Sequence, residues 1–154
     1  MGVTIERVPA ATDEVRQLLA ELDEALSGYT PEQRHALSLD QLFEDNVRFF
    51  TARLDSVAIG CGGVAFYDGF AEVKRMFTRP AARRKGVAAA LLRRLEDEAR
   101  DAGHSVLRLE TGEYQAEAMR FYEREGFERC EAFGDYTALS PQALATSVFY
   151  EKSI

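Results

Sequence analysis

Three strand-like runs follow one another between residues 46 and 78, and this arrangement constrains the fold more than any other feature. The runs are "NVRFFTARL" (46–54), "SVAIGCGGVAFY" (56–67) and "FAEVKRMFT" (70–78). Short turns at Asp55-Ser56 and Asp68-Gly69 separate them. Because such short turns join antiparallel neighbours, the sequence predicts a three-stranded antiparallel meander.

Further strands and helices surround the meander. Thr12 is placed to cap a helix that ends near Gly28, and Pro80 ends the third strand of the meander. The periodicity predicts strands at 3–8, 105–111, 127–133 and 147–153 and helices at 12–28, 86–102 and 115–126, and leaves the segment after Gly28 undefined. Grouped strands followed by alternating helices and strands indicate a mixed α/β (α+β) fold in one domain, 1–154.

Composition narrows the function classes. The chain has 154 residues, 46% hydrophobic and 29% charged, which is typical of a packed globule. Its net charge of -7 argues against a general nucleic-acid binder. No apolar run approaches the roughly 20 residues that span a bilayer, and the first residues lack a signal-peptide pattern, so we expect no membrane partner and a cytoplasmic location. Cys61 and Cys130 stand alone, so neither a disulfide framework nor a metal site is expected.

A basic cluster stands directly before the predicted helix at 86–102. Arg83, Arg84 and Lys85 precede Gly86, although cations at a helix start are unfavourable by ~0.3–1 kcal/mol each. The first N–H groups of a helix lack internal acceptors, and small residues let an anion approach them. The cluster therefore predicts a phosphate or pyrophosphate site. The alternative is ordinary solvated charge beside a loop glycine. A P-loop and a dinucleotide fingerprint are both excluded, because neither glycine pattern is present.

The stretch from Arg83 to Ala88, "RRKGVA", resembles the Arg/Gln-x-x-Gly-x-Gly/Ala motif of the GNAT superfamily of acetyl-CoA-dependent N-acetyltransferases. It lies in the context typical of that family, after the strand "VKRMFT" and Pro80 and before a long helix. Downstream, "QAEAMRFYEREGF" is similar to the second motif of the family. The resemblance covers most of the chain and implies a GNAT-like fold, with a mostly antiparallel sheet of six to seven strands flanked by helices.

The resemblance also implies roles for individual residues. Backbone groups of Met76, Phe77 and Thr78 would pair with the pantetheine arm of acetyl-CoA. Gln115 would contact the pantetheine region, and Tyr122 would protonate the leaving thiolate. The pyrophosphate would be held by the motif residues Arg83, Arg84, Lys85, Gly86, Val87 and Ala88. The chain departs from the family pattern at Ala88, commonly Gly, and at Gln115, commonly Asn.

The catalytic base is left open by the sequence. Glu72 lies at a strand position where some family members carry a base, but it would equally serve as a partner for Lys74. Glu110 and a water molecule are the rivals for this role. Tyr122 has an alternative role as a core aromatic residue, and His35 either contacts the substrate or packs against a helix.

The leading hypothesis is an acetyl-CoA-dependent N-acetyltransferase of the bacterial small-molecule type. It would act on the amine of a small molecule by direct attack in a ternary complex, without a metal. The alternatives are a peptide or protein N-acetyltransferase and a non-catalytic acyl-CoA-binding module. A homodimer is possible. The sequence does not identify the acceptor amine.

Overall fold

A computed structural model describes residues 2–154 of the chain. Seven strands form one sheet with the order β1-β2-β3-β4-β5-β7-β6. All neighbours are antiparallel except β4 and β5, which are parallel. The strands are β1 (Val3–Arg7), β2 (Val47–Leu54), β3 (Val57–Tyr67), β4 (Phe70–Thr78), β5 (Val106–Gly112), β6 (Glu128–Cys130) and β7 (Ser147–Ser153). The sheet therefore confirms the predicted number of strands and their mostly antiparallel pairing.

The predicted meander is present as β2, β3 and β4. Its first turn uses Asp55 and Ser56 with φ values of 50° and 68°, the left-handed conformation that suits a tight hairpin. Its second turn places Gly69 at φ 86°. Each strand lies beside its predecessor because a two-residue connection leaves no room for a crossover.

Helices cover both faces of the sheet. They are α1 (Asp13–Ala25), α2 (Val87–Asp101), α3 (Ala116–Arg124) and α4 (Pro141–Leu144). Thr12 caps α1 as predicted, since its hydroxyl accepts the Val15 N–H at 3.2 Å. The apolar side of α1 packs with Phe49 and Phe77, whereas α2 packs with Phe50 and Val73. Because side chains alternate along a strand, the neighbours Phe49 and Phe50 serve opposite faces.

Two irregularities in β4 open the sheet. β4 and β5 pair only through Ala71–Leu107 and Glu72–Arg108, so the two strands diverge beyond Glu72. A β-bulge lies in the same half of β4, where two residues, Arg75 and Met76, face one residue of β3. Arg75 has a φ of 56° at this bulge. A bulge redirects side chains and bends a strand, so β4 leaves its neighbour and creates a cleft in the sheet.

The C-terminal third differs from the sequence prediction. Only Glu128–Cys130 of the predicted strand at 127–133 is extended, because the chain then enters a 3₁₀ turn at Gly134–Ala138. Phe133 and Tyr136 pack there with Phe149 in a small apolar cluster. The final strand β7 lies between β5 and β6, an order that the sequence did not reveal. The undefined segment after Gly28 contains two short 3₁₀ turns, Pro31–Gln33 and Gln41–Phe43.

Across residues 2–154, every helix is too short or too polar to cross a lipid bilayer.

Candidate active site

The cleft between the diverging halves of β4 and β5 encloses about 160 Å³. Its walls come from β4, β5, α3, the end of α1 and the segment that follows α1. The polar and aromatic residues that line it are Asp23, Tyr29, Gln33, Arg34, His35, Lys74, Arg75, Glu110, Thr111, Gln115 and Tyr122. Elements that are distant in the sequence therefore meet at one opening in the sheet.

One wall of the cleft is the half of β4 for which β5 supplies no pairing partner. Met76, Phe77 and Thr78 lie in this half, with Phe77 and Thr78 paired to β3 on the other side. Met76 lines the cleft, and the buried Phe77 side chain packs against α1. A strand edge without a neighbour offers backbone N–H and C=O groups to an extended ligand. This edge fits the amide-containing arm predicted to bind there.

The basic loop, residues 83–86, follows that edge after a 3₁₀ turn at Pro80–Ala82. Gly86 is the N-cap of α2 with a φ of 78°, and open space surrounds it. The first turn of α2 contains no acidic residue, and its first internal hydrogen bond runs from the Ala90 N–H to the Gly86 carbonyl. The preceding N–H groups, including those of Val87 and Ala88, have no acceptor within residues 2–154. Unpaired donors of this kind match the backbone component of the predicted anion site.

The side chains of the basic loop add positive charge around these donors. Arg83 contacts the Glu117 carboxylate at 3.6 Å. Arg84 and Lys85 are exposed and form no ion pair with any residue in the described part of the chain. Arg84 also has a left-handed φ of 63°. The structure therefore brings the motif residues together at the start of α2 and leaves two of their cations available.

Tyr122 and Gln115 lie on the α3 side of the cleft. Tyr122 lines the cleft, whereas the adjacent Phe121 does not, as expected for neighbours on a helix. Burial raises the pKa of the Tyr122 hydroxyl above its ordinary value. No side chain within residues 2–154 hydrogen-bonds this hydroxyl. Gln115 is the N-cap of α3, and its Oε1 accepts a hydrogen bond from the Tyr29 hydroxyl at 3.3 Å.

Glu72 lies beneath the cleft and not on its wall. Only 3% of its surface is exposed, and its Oε2 accepts hydrogen bonds from the Tyr136 hydroxyl at 2.7 Å and from Lys74 Nζ at 3.2 Å. Lys74 Nζ also donates to the Tyr136 hydroxyl at 2.9 Å and to the His35 carbonyl at 3.2 Å. We call Glu72, Lys74 and Tyr136 the buried ion cluster. Buried charges that are paired in this way hold neighbouring segments together.

Besides Asp23, which pairs with Arg75, the carboxylate that lines the cleft is Glu110. The Ser147 hydroxyl donates a hydrogen bond to it at 2.7 Å. Burial raises the pKa of Glu110, while the Ser147 hydrogen bond and the nearby His35 and Lys74 oppose the rise. His35 lines the same cleft, and its Nε2 contacts the Ala143 carbonyl at 2.8 Å, which requires a proton on Nε2.

Sequence reasoning missed Arg75, Tyr29 and Tyr136. The bulge that turns Arg75 toward the cleft has no sequence signature, since arginine rarely adopts a positive φ. Tyr29 follows the end of α1 and reaches the β5–α3 connection, where its hydroxyl accepts the Tyr114 N–H at 2.9 Å. The sequence signal that could have indicated this contact is Gly112, because the absence of a side chain there leaves room for the Tyr29 ring.

Within residues 2–154, no three histidine, cysteine, aspartate or glutamate side chains form a group that could hold a metal ion.

Comparison with known proteins supports the family resemblance. Residues 13–127 match the family model for the acetyltransferase (GNAT) family. The chain is 43% identical over 156 residues to an IAA acetyltransferase of Azospirillum brasilense, with 99% of each protein covered.

Solved structures share the fold over nearly the whole chain. A Klebsiella pneumoniae protein assigned to the acyl-CoA N-acyltransferases is 33% identical, with a TM-score of 0.82 over 98% of this chain and 97% of that one. The PaiA N-acetyltransferase of Thermoplasma acidophilum, solved with coenzyme A, is 19% identical, and all of both chains superpose with a TM-score of 0.75.

Three observations point to the same family. Strands β4 and β5 diverge, the N–H groups at the start of α2 are unpaired within residues 2–154, and residues 13–127 match the family model. The chain belongs to the GNAT family of acyl-CoA-dependent N-acetyltransferases.

Proposed function

We propose that this enzyme transfers the acetyl group of acetyl-CoA to the amine of a small molecule by direct attack in a ternary complex. The observation that carries the proposal is the cleft itself. It places an unpaired strand edge, a phenol and a carboxylate around one open cavity, and the basic loop follows that strand edge along the chain. The A. brasilense relative that covers 99% of this chain bears the name of an enzyme acting on IAA, which also favours a small acceptor.

Cofactor binding would divide between two parts of the chain. The free edge of β4 at Met76, Phe77 and Thr78 would pair with the pantetheine amides. The pyrophosphate would be held by Arg83, Arg84, Lys85, Gly86, Val87 and Ala88. Gln115 would contact the pantetheine arm from the α3 side. Its side-chain amide, whose Oε1 accepts a hydrogen bond from the Tyr29 hydroxyl, would also face the arm. Acetyl-CoA supplies the activated acetyl group, and these residues orient it toward the cleft.

Tyr122 is proposed as the proton donor for the leaving thiolate. Its raised pKa keeps the hydroxyl protonated across the neutral and moderately basic range, so a proton is available whenever sulfur leaves. As the amine nitrogen bonds to the acetyl carbon, the carbon–sulfur bond breaks and the Tyr122 proton passes to sulfur. The ammonium proton of the attacking nitrogen leaves to a base in the cleft.

For the base, we propose Glu110 as the carboxylate that faces the amine. It lines the cleft, and its raised pKa brings it closer to the pKa of a useful proton acceptor. The role predicted for Glu72 stays a competing prediction, with a water molecule carrying the proton. Glu72 Oε2 already accepts hydrogen bonds from Lys74 and Tyr136, which stabilise the charged carboxylate and make it a weaker base.

A screen of acetyl-CoA consumption across amines, amino acids, polyamines and aminoglycosides tests the function. We expect turnover with a subset of small amines and binding of coenzyme A by calorimetry. Acetylation of peptides or protein lysines alone would favour the protein acetyltransferase. Binding of acetyl-CoA without turnover of any acceptor would favour the non-catalytic module. Light scattering tests separately whether the protein is a monomer or a homodimer, since the proposed acyl transfer does not depend on the oligomeric state.

Paired variants separate the two carboxylates. With a preferred amine, Glu110→Gln should lower kcat/KM by about 10²–10⁴-fold, the range for loss of a general base. Glu72→Gln should have a smaller effect, because the amide still accepts hydrogen bonds from Lys74 and Tyr136. The reverse order of effects would assign the base to Glu72, and unchanged kinetics in both variants would assign it to water.

A further inference from the structure

Arg75 is a buried cation of the cleft whose Nε and Nη2 donors are unused within residues 2–154. Its side chain is only 7% exposed, and Nη1 donates to Asp23 Oδ1 at 2.8 Å. Its Nε is buried without a hydrogen-bond partner, and Nη2 forms no hydrogen bond with any residue of 2–154. Guanidinium groups have five N–H donors, and leaving a buried charged donor unpaired is costly. The arrangement therefore indicates a partner that is added on binding.

Lys74 and Arg34, the other cations of the cleft, direct most of their N–H donors to acceptors within the protein. Lys74 Nζ has three donors and uses them on Glu72, Tyr136 and the His35 carbonyl. Arg34 directs Nε and Nη2 to the Tyr29 carbonyl and Nη2 also to the Ser27 carbonyl. The Nε–Nη2 edge of Arg34 is thus occupied by backbone carbonyls. The same edge of Arg75, Nε and Nη2, has no acceptor within residues 2–154, with Nε buried and Nη2 accessible.

The bulge explains why Arg75 reaches the cleft. In a regular strand, Lys74 and Arg75 would point to opposite faces of the sheet. Here the bulge and the positive φ of Arg75 allow both residues to line the cleft. The conformation is unfavourable for a residue with a side chain, and such outliers concentrate at functional sites. Backbone strain therefore occurs at Arg75, the same residue whose N–H donors are unused.

The chemistry that fits this edge is a carboxylate. Two parallel N–H donors match the two oxygens of a planar carboxylate, and the charge-assisted pair is about twice as strong as a neutral one. Glu110 lies on the β5 wall of the same cleft, in a position to accept a proton from an amine. An acceptor with both groups would be bound at both ends without adding net charge to the cleft.

Resting on the proposed function, we infer that the acceptor is an amino acid or a similar compound that carries a carboxylate beside its amine, and that the Arg75 guanidinium binds this carboxylate, with Nη2 as the donor that the structure leaves accessible. Arg75 is then a specificity-determining residue. It selects and orients the acceptor but takes no part in proton transfer.

The test compares matched acceptors. L-Amino acids are assayed beside their α-carboxamides and their decarboxylated amines at saturating acetyl-CoA. We expect kcat/KM for the preferred acid to exceed that of its amide by on the order of 10²-fold, from loss of two charge-assisted hydrogen bonds. If every carboxylate-bearing acceptor is neither bound nor acetylated, the inference is wrong.

Variants of Arg75 then test whether this residue recognises the carboxylate. Arg75→Gln should raise KM for the acid on the order of 10²-fold while the amide reacts as before. Arg75→Lys should recover only part of the loss, because lysine keeps the charge but not the parallel donors. Arg48→Gln is the matched control, since Arg48 pairs with Glu98 outside the cleft. Its kinetics should equal those of the unaltered enzyme.

Asp23→Asn separates recognition from a supporting role. It breaks the ion pair with Arg75 but keeps the guanidinium, so the preference for acids should survive. If Asp23→Asn reproduces the loss seen in Arg75→Gln, or if Arg75→Gln slows acids and amides equally, Arg75 only holds α1 in place and the inference fails. Loss of coenzyme A binding by the unaltered enzyme would instead reject the proposed function.

Discussion

The basic loop and the buried ion cluster handle positive charge in opposite ways. Arg84 and Lys85 are exposed and unpaired within residues 2–154, next to backbone N–H groups that also lack acceptors. Lys74 is buried, and all three of its donors are used. The first arrangement needs an outside anion, whereas the second is complete without one. The difference separates a loop that we propose binds the pyrophosphate from a cluster that connects segments around the cleft.

The two regions also differ in how they are assembled. The basic loop is one short stretch of chain followed by a helix. The buried ion cluster joins β4 to the 3₁₀ turn at Gly134–Ala138 and, through the His35 carbonyl, to the segment after α1. A local motif is sensitive to its own few residues, while an assembled wall is sensitive to contacts between remote elements. The following predictions test this contrast, from the largest expected effect to the smallest.

Reversing the charge of the basic loop should abolish cofactor binding. Arg84→Glu combined with Gly86→Asp places carboxylates where we propose a pyrophosphate, and Gly86 has a φ of 78° that favours glycine. We expect the Kd for coenzyme A, measured by calorimetry, to rise by on the order of 10²-fold or more.

Arg93→Glu is the control for this charge reversal, because Arg93 is exposed on the same helix and forms no hydrogen bond or ion pair within residues 2–154. It should bind coenzyme A normally. If both variants weaken coenzyme A binding equally, only the overall charge of the protein matters, and the proposed pyrophosphate site at the basic loop is rejected.

Removing the Tyr122 hydroxyl should slow transfer without weakening cofactor binding. Tyr122→Phe keeps the ring contacts with Phe127 and Tyr150 but removes the proposed proton donor. We expect kcat to fall by about 10²–10⁴-fold, with the Kd for coenzyme A unchanged. Tyr67→Phe, outside the cleft, serves as the control. Normal turnover by Tyr122→Phe would show that Tyr122 is not the proton donor and would favour the alternative, a core aromatic residue.

Filling the space at Gly112 should loosen the acceptor side of the cleft. A β-carbon at this position would overlap the ring of Tyr29, which stacks on Tyr114 at 5.0 Å between ring centroids. We expect Gly112→Ala to lower the free energy of unfolding by about 1–3 kcal/mol, as overpacking does. Gly28→Ala is the matched control, because open space surrounds Gly28. Equal denaturation midpoints for the two variants would contradict the proposed contact.

The smallest expected effect is a pH-dependent gain in stability for Glu110→Gln. The pKa of Glu110 is raised in the folded protein, mainly by burial, so ionisation opposes folding. The penalty is absent below the unfolded pKa and grows as pH rises through the folded pKa. Glu110→Gln should therefore raise Tm at pH 7, with about 2–4 °C for each kcal/mol recovered, and the gain should shrink toward pH 4. A gain that is constant with pH would exclude ionisation as its cause.

Local patterns predicted much of this molecule. The meander, the Thr12 cap, the helix after Gly86 and the final strand depend on residues close in sequence, and all four appear in the structure. The strand predicted at 127–133 was too long, because the apolar side chain of Phe133 packs with Tyr136 and Phe149 and not in a ladder. Alternation alone could not distinguish these two uses of an aromatic residue.

By itself the sequence determined the fold class and the position of the basic loop, because turn chemistry, helix caps and glycine requirements act over a few residues. The family was indicated by the resemblance of two short motifs to those of known proteins. Only the tertiary structure decided which side chains share the cleft. The divergence of β4 from β5 and the bulge at Arg75 set Glu110 and Arg75 on its walls and bury Glu72 beneath it. Those positions depend on how distant strands and loops pack, and periodicity along one segment carries no information about that packing.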